Sequence, residues 1–324
     1  MRKLKRVAVT GGAGFIGANF VFHLLGKYQN IELANIDGLT RPSMNSDQFQ
    51  YVPTKEDGCE FLNIQIQNRE RMKEVLKEKD IIINLAAETH VDRSIRDVAP
   101  FLQSNILGVH SILEAIKDTN KVLVHISTDE VYGARGSEDA DERARLLPNN
   151  PYSASKASAD LLIRSYVRTH GVKAIIMRLS NNYGAYQWIE KAIPLFTTNI
   201  IKGKKIPIYG KGNQSRTWLH VLDTCEAIEL VASEGKIGEI YNVQGQTEIT
   251  NVELARDILG TFGLEYTGWV EFVEDRKGHD KRYGMNCDKI KELGWKPKIE
   301  WEQGLLNTVL WYKQNPEWWG GKNV

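Results

Sequence analysis

Three cysteines, Cys59, Cys225 and Cys287, are all that the chain holds. They are odd in number, far apart and without metal-ligand spacing, which speaks against both a disulfide framework and a zinc site. An excess of one charge sign is also missing, since 42 Lys and Arg stand against 41 Asp and Glu. That balance argues against a dedicated nucleic-acid or membrane-surface binder, so a basic patch for an anionic ligand has to be local. No run of about 18 apolar residues occurs, and no transmembrane helix is expected. Repeats, low-complexity tracts and Gly/Ser linkers are absent too. What is there is an ordinary globular composition, 42% hydrophobic and 26% charged over 324 residues, enough for one large domain or two. The opening "MRKLKR" runs straight into a strand-like "VAVTGG", which leaves no room for a signal peptide and makes a reducing cytoplasm the expected compartment.

Apolar strand-like runs occur at Arg6–Thr10, Ile31–Asp37, Glu60–Ile64, Asp80–Leu85, Lys121–Ser127 and Lys173–Leu179. Helix-like stretches lie between them at Phe15–Leu25, Arg69–Lys79, Val98–Lys117 and Tyr152–His170. Alternation of this kind predicts an α/β fold with a doubly wound parallel sheet, the Rossmann arrangement. Past about residue 180 the rhythm breaks: "KIPIYG" and "EIYNVQG" mix with helices at Val221–Ser233 and Asn251–Phe262. The expected organisation is a cofactor domain over residues 1–180 and a smaller mixed α/β lobe over 181–324, some of whose segments return to the first domain.

Two motifs carry chemistry. In "TGGAGFIG", Gly12, Gly14 and Gly17 satisfy G-x-G-x-x-G between a strand and a helix, where missing side chains allow a tight turn and the helix N-terminus offers N–H donors to a pyrophosphate. Asp37 closes the second strand, where an acid can accept both ribose hydroxyls and repel a 2′-phosphate, so NAD is expected rather than NADP. In "PYSASKASAD", Tyr152 and Lys156 share a helix face one turn apart. An ammonium there stabilises a tyrosinate, as a hydroxyl-deprotonating base requires. The stretch "HISTDEVYG" adds adjacent acids, Asp129 and Glu130, just after an apolar strand. By themselves these read equally well as solvated turn residues.

Taken in order, "TGGAGFIG", "LAAETHVDRSI", "HISTDEVYG", "NPYSASKASAD", "NNYGAYQWIEKAIPL" and "DRKGHDKRYGMN" resemble the extended short-chain dehydrogenase/reductases, the NAD-dependent epimerase/dehydratase family, from Val7 to about Tyr312. The resemblance is to the 4,6-dehydratase side of that family. It implies conversion of dTDP-glucose, or a close nucleotide-diphosphate hexose, to a 4-keto-6-deoxy sugar with tightly bound NAD. It also gives the two acids distinct roles, in which Glu130 removes the C5 proton and Asp129 protonates the departing C6 hydroxyl. Tyr152, helped by Lys156 and Thr128, takes the C4 hydroxyl proton. Cofactor contacts implied are Gly11, Gly14, Phe15, Ile16, Gly17, Asp37, Gln65, Ile66, Leu85, Ala86, Ala87, Asn105, Ser127, Tyr152 and Lys156. Substrate contacts implied are Thr89, Asn181, Glu190, Lys191, Pro207, Tyr209, Arg216, Arg276 and His279. No metal enters.

Departures from the family pattern fall at Arg41, Pro42 and Ser43, at Gln65 in place of an adenine-side Asp, and at Ala185 and Thr217 in the substrate lobe. Those last two leave the base and the hexose open. A 4-epimerase uses the Tyr/Lys pair without the two acids, a decarboxylase keeps the Glu with a neutral partner, and a non-catalytic dinucleotide binder tends to lose the Tyr/Lys pair. His90 reads as a satisfied structural histidine, and Trp311, Trp318 and Trp319 as packing aromatics. The helices 105–117 and 153–169, with Ile112, Leu113, Leu161 and Ile163, match the segments that pair in family homodimers. Neither a nucleic acid nor a membrane is an expected partner.

Overall fold

The computed structural model describes residues 1–40, 52–54 and 58–320, so Arg41, Pro42 and Ser43 lie outside the described residues. Among the described residues, twelve strands form three sheets: β1 (Arg6–Thr10), β2 (Glu32–Asp37), β3 (Glu60–Asn63), β4 (Ile81–Asn84), β5 (Val122–Thr128), β6 (Lys173–Leu179), β7 (Asn181–Tyr183), β8 (Ile206–Tyr209), β9 (Ser215–His220), β10 (Ile240–Val243), β11 (Thr247–Thr250) and β12 (Val270–Val273). The large sheet runs β10-β6-β5-β4-β1-β2-β3, and every pairing in it is parallel. It is a Rossmann sheet whose order reverses between β1 and β4, where such folds open a ligand crevice.

Both faces of this sheet are covered, which is why its strands read as unbroken apolar runs. Val7 and Val9 of β1 pack on one side with Phe20, Val21 and Leu24 of helix α1 (Phe15–Lys27). Ala8 turns to the other side, among Ile82, Ile112, Leu113 and Ile163. On that face lie α2 (Arg69–Val75), α5 (Val109–Ile116) and α6 (Pro151–His170), while short α3 (Val91–Arg96) and α4 (Ala99–Phe101) follow β4. The α6 start is set by sequence: Asn150 accepts the Ser153 N–H at 2.9 Å, Ser153 returns the bond, and Pro151 occupies the first helical position. It ends at Gly171, whose φ of 66° a side chain disfavours.

The single helix expected over 98–117 is instead α4, a π-helical stretch Leu102–Gly108 and α5. A Cβ at Gly108 would sit 2.5 Å from Ile66 Cδ1, so the widened turn passes close against the cleft side, a contact hidden from periodicity. The strand in "EIYNVQG" is a segment that returns to the first domain, because β10 extends the large sheet beside β6. Of the apolar residues read on the two helices, Ile112, Leu113 and Ile163 are buried against the sheet and only Leu161 faces outward.

The second lobe holds the β11-β9-β7 sheet, the β12-β8 pair and a core of Phe196, Ile206, Trp218, Leu254 and Leu305. A separate aromatic cluster joins Ile189, Tyr312, Trp318 and Trp319. Among the described residues no helix is long and apolar enough to cross a membrane.

Candidate active site

A cleft of about 560 Å³ runs along the C-terminal ends of β1, β2, β4 and β5 and continues to the second lobe. Gly11, Gly14, Phe15, Ile16, Gly17 and Asp37 line one end, with Gln65, Ile66, Leu85, Ala86 and Ala87 beside them. The glycine turn has no room for side chains: Gly11 has φ of 76°, and a Cβ on Gly17 would lie 2.0 Å from the Gly11 carbonyl oxygen. No side chain caps the N-terminus of α1, so its first N–H groups remain for an anion. Asp37 accepts the Ala13 and Leu39 N–H groups at 3.0 and 2.9 Å, which fixes its carboxylate at the end of β2. These features fit a dinucleotide, with its pyrophosphate on α1 and a ribose on Asp37.

Ser127, Thr128, Asp129, Glu130, Tyr152 and Lys156 line the middle of the same cleft with Thr89, Asn181 and Lys191. The acids sit there because β5 ends in a 3₁₀ turn, Asp129–Tyr132, whose start is capped by Thr128 Oγ1 accepting the Glu130 N–H at 3.3 Å. Gly133 ends the turn with φ of 72°. Tyr132 pins it from behind, donating to Asn242 Oδ1 and accepting from Arg178, both at 2.7 Å. Asp129 is 3% exposed; its Oδ1 accepts from Thr128 Oγ1 at 3.0 Å and its Oδ2 is buried with no partner. Burial, reinforced by the neighbouring Glu130 carboxylate, pushes Asp129 up to about 7. Glu130 lies within 3.5 Å of Asn150 Nδ2. Two adjacent carboxyls thus meet different surroundings.

Tyr152 departs from the sequence-based expectation. Burial first, then Glu130, drives its hydroxyl above the ordinary phenol range, and only hydrogen bonds with Thr89 and Thr128 oppose them. Lys156 is held against the end of β5. Its Nζ donates to the Ile126 carbonyl at 2.6 Å, and burial brings it down to about 8. Lys191 Nζ reaches Thr89 Oγ1 at 3.3 Å, joining the substrate lobe to the tyrosine through one hydroxyl.

Other expected contacts stand off the cleft wall. Asn105 is fully buried; its amide accepts the Glu88 N–H at 2.8 Å and donates to the Glu88 carbonyl at 3.0 Å and to Ser155 Oγ at 2.8 Å, so it holds the strand end from behind. Glu190 approaches Arg93 at 4.0 Å. Tyr209 donates to Asp92 at 3.4 Å, and His279 pairs with Asp275 at 2.6 Å. Arg216 is tied to the carbonyls of Ser215, Asp280 and Lys281 and lies over the Tyr283 ring at 4.5 Å. Arg276 keeps a buried, unpartnered Nε, and Pro207 stays in β8. His90 is not the satisfied histidine expected: its Nδ1 is buried without a partner, its φ is 93°, and burial together with Lys191 brings the ring down to about 3.

Several wall residues escaped sequence reasoning. Glu88, Arg93, Ser180, Asn182, Tyr186 and Trp188 line the cleft, and so does Trp318 of the aromatic cluster. Glu88 and Arg93 lie inside "LAAETHVDRSI", where charged neighbours gave a signal. Trp318, read from the sequence as a packing aromatic, gave no sign of the cleft, being remote in sequence. Among the described residues no group of three or more His, Cys, Asp or Glu could hold a metal.

With this geometry established, comparison with known proteins is direct. The chain is 43% identical over 320 residues to a dTDP-glucose 4,6-dehydratase of Streptomyces niveus, covering 97% of this chain and 94% of that one. It superposes with TM-score 0.92 on a crystallised dTDP-glucose 4,6-dehydratase of Streptomyces venezuelae with NAD bound, at 42% identity and over 97% and 99% of the two chains. A UDP-glucose 4-epimerase of Thermus thermophilus, also with NAD, gives TM-score 0.85 at 28% identity over 95% and 99%. The model of the GDP-mannose 4,6 dehydratase family matches residues 8–308, and the chain belongs to that family.

Proposed function

We infer that this chain is an NAD-dependent nucleotide-sugar 4,6-dehydratase acting on dTDP-glucose, or a closely similar nucleotide-diphosphate hexose, and yielding the 4-keto-6-deoxy sugar. Gly11–Gly17, Asp37 and Ser127 would hold NAD, which when bound would supply the redox chemistry for oxidation at C4 and reduction at C6. Tyr152, assisted by Lys156, takes the C4 hydroxyl proton, with Thr89 and Thr128 as hydrogen-bond partners that stabilise the phenolate. Glu130 then removes the C5 proton made acidic by the C4 ketone. Asp129, which holds its proton up to about pH 7, gives it to the C6 hydroxyl, which leaves as water. Glu130 finally returns a proton to C5.

What carries this reading against a 4-epimerase is the buried acid beside an accessible one: Asp129 has a carboxyl oxygen without a partner in a cleft that also holds Glu130 and Tyr152. An epimerase has no use for a proton donor there. The protein is incubated separately with dTDP-glucose and UDP-glucose, and product mass and alkaline 4-keto absorbance are recorded. Loss of one water is expected, with dTDP-glucose preferred. A product of unchanged mass makes the enzyme an epimerase instead. A homodimer in the cytoplasm completes the proposal, supported by outward-facing Ile95, Val98, Leu102, Leu107 and Leu161 on and around α3–α6.

A further inference from the structure

Behind Lys156 lies a row of polar side chains that the proposed reaction does not use. Thr10, Asn84 and His125 occupy β1, β4 and β5, and they are register partners: Thr10 pairs with Asn84 and Asn84 with His125. All three are at most 1% exposed. Thr10 Oγ1 donates to Asn84 Oδ1 at 2.6 Å, and Asn84 Nδ2 stands 2.9 Å from His125 Nδ1. His125 Nε2 faces Lys156 Nζ at 3.4 Å. A buried polar row across three central strands is costly unless each bond is made, so its direction carries information.

That direction is fixed from the Thr10 end. A threonine hydroxyl has one hydrogen to place, and Asn84 Oδ1 is its hydrogen-bond acceptor here. Turning the Asn84 amide over would present an NH₂ to Thr10 and leave that hydrogen without this acceptor. The amide therefore keeps Nδ2 toward His125, whose Nδ1 must accept. Burial, with Lys156 adding to it, holds the ring far below its usual proton affinity, so it stays neutral. In a neutral imidazole whose Nδ1 accepts, the proton is on Nε2.

We propose that the Thr10–Asn84–His125 row is a positioning device for Lys156: it turns an Nε2–H donor toward Nζ, denies the ammonium an acceptor on that side, and favours release of its proton. The Ile126 carbonyl is then the one strong acceptor on the strand side, and the other Nζ bonds are left to the cleft. The charges bearing on Lys156 are few. Asp160 on its own helix favours the ammonium and is itself paired with Arg178 of β6; Tyr152 shares its helix; Asp129 and Glu130 face the same cleft from the 3₁₀ turn; and the π-helical stretch contributes no charge. His125 touches Nζ itself, and its orientation sets the balance.

The direct test needs no variant. In ¹⁵N-histidine-labelled, NAD-loaded protein, ring ¹⁵N shifts should place His125 in the Nε2–H form, without titration, from about pH 6 to about pH 9. An Nδ1–H form, or protonation in that range, overturns the proposal. Asn84→Asp then reverses the row, because a carboxylate accepts from both neighbours and draws the ring proton to Nδ1. Nε2 becomes an acceptor beside a new negative charge, and the Lys156 ammonium gains. The ¹³Cε shift of Lys156 should titrate at least about one pH unit higher than in the parent, a tenfold gain in proton affinity. Thr10→Val, which removes only the anchor, should let the reversed tautomer appear in part. Coincident Lys156 titrations in parent and Asn84→Asp also overturn it. The inference rests on Lys156 serving the proposed dehydratase, but both readouts are independent of turnover, so failure of that activity and failure of the row are told apart.

Discussion

Asp129 and Glu130 are neighbours in sequence and opposites in surroundings. Placing Asp129 in the interior costs stability whenever it is ionised: with its proton held up to about 7, the folded state binds a proton that the unfolded state has already lost above about pH 4. The penalty is absent below the unfolded value, grows as pH rises, and is complete above about 7. Asp129→Asn, which mimics the neutral acid, should therefore leave stability unchanged in acid and raise it above pH 7 by on the order of 1–3 kcal/mol, measured by urea unfolding. The same change should stop dehydration, since an amide cannot give its proton to C6. Glu130→Gln should still reduce bound NAD with substrate but lose solvent-deuterium incorporation at C5. If Asp129→Asn dehydrates at the parent rate, or Glu130→Gln labels C5 as fast as the parent, the two roles are misassigned. In the parent, C6 departure should slow as pH rises through about 7, because the acid form of Asp129 is then lost.

The catalytic residues occupy two elements, the 3₁₀ turn after β5 and helix α6, and these are tied by one buried ion pair. Arg178 Nε donates to Asp160 Oδ2 at 2.9 Å, with side chains 1% and 0% exposed, while the same guanidinium holds Tyr132 at the end of the acid-bearing turn. Attraction inside the protein is offset by the cost of taking both charges from water, so the pair need not stabilise the fold much; losing one partner is what costs. Asp160→Asn and Arg178→Met should each cost roughly 3–5 kcal/mol in urea unfolding, and the double variant much less than their sum. Additive losses would show that the two charges do not compensate each other. Elements of this kind were legible where period and caps agreed: β1 and β6 fall where apolar runs put them, and α6 starts within a residue of its expected place because Asn150-Pro151 announces it. The break at Leu102–Gly108 was not legible. It ends at Gly108, which packs against Ile66, a tertiary contact outside any local window.

At the scale of the molecule, the glycine turn, Asp37 and the Tyr/Lys helix could be placed from local pattern, because each belongs to one strand-turn-helix unit. The cleft wall at Trp318 and the edge strand β10 could not, since both come from chain that returns after passing through the second lobe. That return has an energetic consequence. The helix Val221–Glu234 packs on α1, where His23 and Lys27 meet Glu229 at 2.7 and 2.8 Å and the Tyr28 hydroxyl also donates to it. Burial would raise this carboxyl, yet the bonds from His23, Lys27 and Tyr28 bring it down to about 2. A depressed carboxyl contributes stability that is present above its unfolded value, about 4.3, and is lost as pH falls through about 2. Glu229→Gln should cost roughly 1–3 kcal/mol at pH 7 and flatten the acid side of the stability curve. All 8 tryptophans, from Trp188 to Trp319, lie beyond residue 180, seven of them in or against the second-half clusters and Trp295 in the core of the large sheet, so their fluorescence reports chiefly the second half. If the first sheet is completed only by β10 and this helix, destabilising the α1 contact must also shift the tryptophan transition, in step with far-UV circular dichroism. A fluorescence transition left in place while the dichroism moves would mean that the second half unfolds independently.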